Sequence, residues 1–62
     1  GLIEGGPEEV IHSSTNALEF LLPIENRQGI IRAYESRASA YKNKGQNVKA
    51  EEDSKEAEKW KK

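Results

Sequence analysis

The sequence predicts an all-α fold, three antiparallel helices forming one small domain over its 62 residues. Two observations carry that expectation. Apolar and small side chains recur at intervals of three and four along most of the chain, the period of a helix with one packed face. The breaks fall at residues that start or stop helices: Gly6-Pro7, Pro23 and Gly45. Hydrophobic and charged residues each make up 34%, which fits a helix-rich, mostly solvated structure rather than one with a large core. A chain this short buries only about 60% of its unfolded surface, so stability must come from packing or from neighbours.

The first helix is expected over 7–21. Gly6 suits its N-cap and Pro7 its first position. Glu8 and Glu9 meet the positive end of the helix dipole. Val10, Ile11, Ser14, Ala17, Leu18, Leu21 and Leu22 form its apolar face, and Pro23 ends the run because the residue before proline is pushed out of the α region. The second helix is expected over 27–44, with a stripe of Ile30, Ile31, Tyr34, Ala38 and Tyr41 widened by Ala33 and Ala40. Gly45 closes it, since glycine takes the left-handed C-cap conformation at little cost, and Lys42 and Lys44 suit the negative end of the dipole. The third helix is expected over 47–60, capped by Asn47. Its thin stripe is Val48, Ala50, Ala57 and Trp60, and its solvated surface is laced by Glu51 with Lys55, Glu56 with Lys59 and Glu58 with Lys62. Trp60 is expected to cover the core around Ala57.

The chain also matches itself. At an offset of 40 residues Gly5 meets Gly45, Val10 meets Ala50, Ser14 meets Ser54, Ala17 meets Ala57 and Phe20 meets Trp60. These are positions that a turn and a packed helix face constrain, so the pattern reads as an internal repeat. Because the chain begins at Gly1 rather than methionine, the segment is expected to be a piece of something longer.

Ala38, Tyr41, Gly45, Ala50 and Ala57 have the spacing of small, aromatic and glycine positions in a helical hairpin, and here the chain resembles the tetratricopeptide repeats. The stretch YESRASAYKNKGQNVKA is similar to the middle repeat of co-chaperone members of that family. The resemblance implies one full repeat, 27–62, preceded by the second helix of an earlier one: a helical hairpin plus one extra helix, an α-solenoid fragment. Alanines would let two helices approach closely, tyrosine would fill the wedge, and glycine would make the turn. Asn47 and Ser54 stand where the family often has aromatics, so the hairpin is expected to lean on a neighbour. The offset of 40 exceeds the commonest period of about 34 and resembles the longer-period variants.

Chemistry is expected to be absent. His12 is the sole histidine and has no partner to orient it, and Ser13, Ser14 and Thr15 lack a base. Glu51, Glu52 and Asp53 are adjacent on a helix and diverge by about 100° each, so they read as a solvated face rather than a cation site. Without cysteine there is no disulfide or thiolate metal site, and a reducing, cytoplasmic setting is expected. No catalytic, metal-binding or cofactor-binding residue is assigned. Ten basic and eleven acidic residues give no footprint for nucleic acid, and the longest apolar run, Phe20-Leu21-Leu22, is far short of the roughly 20 residues that cross a bilayer.

The expected function is therefore protein recognition. The resemblance places the partner face on the second helix, opposite Ala38 and Tyr41: Arg32, Glu35, Ser36, Ser39, Lys42 and Asn43, holding a peptide or protein partner. In similar co-chaperones an asparagine precedes the arginine that matches Arg37 and helps clamp a peptide carboxylate. Ser36 occupies that place here, so a chaperone tail is not the expected ligand. A second expectation is self-association into a homo-oligomer through exposed faces of the first helix (Val10, Leu18, Leu21) and third helix (Val48, Trp60). A third is a trafficking-type three-helix domain that takes amphipathic helices between its own.

Overall fold

The computed structural model describes residues 6–62. Within them the chain forms α1 (Gly6–Leu21), α2 (Arg27–Asn43) and α3 (Asn47–Lys61), with no strand among the described residues. The three helices make an all-α fold. Successive helices run antiparallel because each connection is a turn too short to do anything but reverse the chain. α2 is central and packs against α1 on one side and α3 on the other, whereas α1 and α3 never come within 8 Å of each other, Cα to Cα. With extents of 37 × 22 × 13 Å, the molecule is an open layer of helices rather than a closed bundle.

Both turns are built alike. After α2, Gln46 N–H donates to Tyr41 C=O and Gly45 N–H to Lys42 C=O, both at 2.9 Å, with Gly45 at φ 82°. This is a Schellman closure, in which a left-handed residue lets the last carbonyls of a helix find donors. After α1, Asn26 N–H donates to Leu21 C=O at 3.2 Å and Glu25 N–H to Leu22 C=O at 3.0 Å, and here the left-handed residue is Glu25, φ 53°. Asn26 then caps α2, its side chain accepting from Gly29 N–H at 3.0 Å. Gly6 is the first residue of α1 rather than its cap, and α3 is entered from Gln46, whose side chain makes no capping bond, so Asn47 is not the cap expected of it. Gly5, the partner of Gly45 in the internal repeat, lies outside the described residues.

The core is divided between two seams. Between α1 and α2, Leu18, Ile30 and Ala33 are buried, with Ala17, Leu21, Tyr34 and Trp60 packed against them. Trp60 thus does reach the core. Between α2 and α3 the buried residues are smaller: Ala38 from α2, and Ala50, Ala57 and Asp53 from α3. Val10 and Val48, expected on buried stripes, are 41% and 72% exposed, and Leu22 falls in the turn and is also exposed. The reason is geometric. In an open layer α3 has a single packed side and Val48 lies off it, whereas Val10 borders a hollow with Pro7, Ser36, Ser39, Ala40 and Asn43 at the edge of the α1–α2 contact.

Candidate functional site

Helical periodicity gives α2 an outward row running its full length, and all six of Arg32, Glu35, Ser36, Ser39, Lys42 and Asn43 are exposed there. A groove of about 400 Å³ lies on the α3 side of the row, lined by Glu35, Ser39 and Lys42 from α2 and by Asn47, Glu51 and Ser54 from α3, with the buried Ala38 and Ala50 also contributing. Small side chains at those two positions leave the space open. On the α1 side a hollow of about 250 Å³ is bounded by Ser36, Ser39, Ala40 and Asn43 together with Pro7 and Val10. Ser39 borders both.

The charges along this row are unequal in freedom. Glu35 accepts an ion pair from Lys61 at 2.9 Å, and that hydrogen bond raises the Lys61 pKa above its ordinary value; Glu58 sits 3.6 Å from the same ammonium. Arg32 and Lys42 make no ion pair among the described residues. The open groups are thus two cations, two hydroxyls and one amide, a set that suits carboxylate and backbone-carbonyl acceptors better than donors. Of the helix-surface pairs expected on α3, Glu56 with Lys59 forms at 3.2 Å, while Glu58 turns to Lys61 rather than Lys62.

On the far side of α2, about half a helical turn from Ser39, Arg37 ties the layer together. Its Nε donates to Asp53 Oδ2 at 2.8 Å and its NH2 nitrogen to Asp53 Oδ1 at 2.9 Å, a bidentate pair. Its NH1 nitrogen donates to Thr15 Oγ1 at 3.0 Å, and the Thr15 hydroxyl in turn donates to Ile11 C=O at 2.8 Å. The guanidinium also lies 5.6 Å from the centre of the Tyr34 ring. One side chain of α2 therefore holds both neighbours, and the hydrogen bond with Asp53 raises the Arg37 pKa further. Burial in this region pushes the Tyr34 hydroxyl pKa up.

Asp53 corrects the reading of Glu51-Glu52-Asp53 as a solvated trio: it is buried, although its two neighbours are exposed. A sequence signal for this exists. Ala50, Asp53, Ala57 and Trp60 follow the 3-4-3 spacing of a packed stripe, so a carboxylate within it requires a cation from the helix opposite. Among the described residues no buried side-chain nitrogen or oxygen is left without a partner.

On the same far side, Lys44 donates to Glu8 at 2.9 Å, holding that carboxyl below its usual range. His12 borders a shallow hollow there with Tyr41 and Lys49. Among the described residues, no group of three or more His, Cys, Asp or Glu converges on a point where a metal ion would bind, and no helix is long and apolar enough to cross a membrane. Of the five positions with the small, aromatic and glycine spacing, Ala38, Ala50 and Ala57 are buried, Tyr41 is half-buried and Gly45 makes the turn. Compared with protein-family models, curated proteins and solved structures, the chain finds no match in any of the three.

Proposed function

We propose that this chain is a protein–protein interaction module, a tetratricopeptide-like scaffold that presents the outward row of α2 to a peptide or protein partner. The observation that carries the reading is the continuous exposure of Arg32, Glu35, Ser36, Ser39, Lys42 and Asn43 beside a groove of about 400 Å³. An open layer supports it too: α1 and α3 occupy the flanks of α2 and leave the row from Arg32 to Asn43 uncovered along about three turns of helix. An extended segment laid in the groove would meet the Lys42 ammonium, the Ser39 hydroxyl and the Asn47 amide with its carbonyls or an acidic side chain, while small apolar side chains enter over Ala38 and Ala50.

Selection of a displayed peptide library against the immobilised chain tests this. Enriched peptides are expected to be acidic or carboxyl-terminal binders that lose at least about tenfold in affinity on Lys42→Glu or Ser39→Arg, as central contacts do. Lys55→Glu, on the outer side of α3, leaves them unaffected. Peptides that bind all three variants as tightly as the natural chain would rule the reading out.

A further inference from the structure

Because α1 and α3 flank α2 without meeting, the far side of α2 leaves a space between them. At the end of the layer where α2 closes on Gly45, that space is a hollow of about 320 Å³. Glu8, Ile11 and His12 of α1 line it, with Tyr41 and Lys44 of α2, Gln46 of the turn and Lys49 of α3. It reaches the size of small-molecule sites, which begin at about 300 Å³.

Its polar lining is mostly hydrogen-bond donors. Lys49 makes no ion pair among the described residues, and its ammonium lies 5.6 Å from the centre of the Tyr41 ring. Of the two carboxylates a turn ahead of it, Asp53 is committed to Arg37 and Glu52 makes no pair with it. The Gln46 side chain is not spent on capping α3, and the imidazole of His12 is exposed. Lys44 is held at 2.9 Å by Glu8, the one carboxylate in the lining, whose side chain is 80% exposed. Two ammoniums therefore stand against one loosely placed carboxylate, with an amide and an imidazole beside them.

We infer that this hollow binds a phosphomonoester, the phosphoryl group against Lys49, Gln46 and His12 and the organic group beside Ile11 and the Tyr41 ring. A carboxylate ligand brings one charge and two coplanar oxygens, which draw Lys44 no better than Glu8 does. A phosphoryl group brings nearly two charges and three oxygens at neutral pH. It can meet donors from three chain segments at once and compete with Glu8 for Lys44. The hollow is larger than a phosphoryl group, and half-buried Ile11 and Tyr41 give it apolar wall for more than an inorganic ion. It lies on the opposite side of α2 from the outward row, so the inference does not depend on that row binding anything.

The test is a titration of the isotope-labelled chain with phenyl phosphate at constant ionic strength, followed by amide NMR shifts. Saturable shifts centred on His12, Tyr41, Gln46 and Lys49, with a Kd of a few millimolar or below, are the expected result. Lys49→Ala is expected to weaken binding at least about fivefold. Glu8→Gln, which removes the competitor for Lys44, is expected to tighten it about twofold or more. Lys55→Ala and Glu9→Gln make the same changes of charge outside the hollow and leave binding as it was. All four side chains are exposed, so the fold is kept. Phenol and inorganic phosphate, the two halves of the probe, are each expected to bind at least about threefold more weakly than the whole. Four outcomes overturn the inference: no saturation by about 20 mM; a loss on Lys55→Ala equal to that on Lys49→Ala, which would mean an adventitious ion only; weakening by Glu8→Gln; or either half binding as tightly as phenyl phosphate.

Discussion

The two seams of the layer are held by different physics. Between α1 and α2 the contact is apolar, centred on Ile30, which has no exposed surface, and on Leu18. Between α2 and α3 the facing residues are alanines, so the helices come close but bury little apolar area per residue, and the strongest specific contact is the Arg37–Asp53 pair. The first seam draws its stability from desolvating large side chains. The second draws on directional bonds that fix one register, and loses them all if either partner goes. Arg37 makes the two seams dependent on each other, because the guanidinium bound to Asp53 also donates to Thr15 of α1.

The largest effect is expected at Ile30. Truncation by Ile30→Ala removes the one fully buried large side chain among the described residues and leaves a cavity between α1 and α2, a loss of about 3 to 4 kcal/mol. In a domain of this size that is enough to abolish cooperative melting, which circular dichroism would show directly. If the variant melts like the natural chain, the apolar seam is not what holds α1. The next effect belongs to the other seam. Asp53→Ala leaves a guanidinium that is only 19% exposed without its carboxylate, at about 2 to 3 kcal/mol. Replacing both partners, Arg37→Met with Asp53→Leu, is expected to bring stability back to within about 1 kcal/mol of the natural chain, because the desolvation of two charges is removed together with their attraction. A double variant as unstable as Asp53→Ala would mean that the pair contributes more than its own desolvation costs.

These seams explain what the sequence discloses and what it does not. Pro7 and Gly45 mark α1 and the end of α2 because starts and stops are local, decided by one or two residues. The exposure of Ser39 and Lys42 likewise follows from period alone. The packed side of α1 is harder to read, since Val10, Ile11, Ala17 and Leu18 form one broad arc in sequence, of which the structure seats Ala17 and Leu18 in the core and leaves Val10 41% exposed. Periodicity finds apolar positions but does not say which neighbour each meets. Asp53 was hidden by Glu51 and Glu52, and its partner lies 16 residues away on another helix. The groove beside Ser39 depends on how far α3 stands from α2, a tertiary distance with no signature along the chain.

The smallest expected effect sharpens the comparison where each seam ends. Both turns make the same pair of backbone bonds, to Leu21 and Leu22 after α1 and to Tyr41 and Lys42 after α2, but they place different residues in the left-handed position. Gly45 takes φ 82° without a steric penalty and has open space around it, so Gly45→Ala acts through backbone conformation and not through a clash; it should destabilise by about 1 kcal/mol. Glu25 carries a Cβ into the same region at φ 53°, so Glu25→Gly relieves strain. Part of that gain is returned, because glycine also frees the unfolded chain, and a net stabilisation of about 0.5 kcal/mol remains. Opposite signs for the two substitutions in urea melts, with unchanged m-values, are what a shared turn geometry requires. Destabilisation by both would show that the Glu25 side chain does something for the first turn that the hydrogen bonds alone do not reveal.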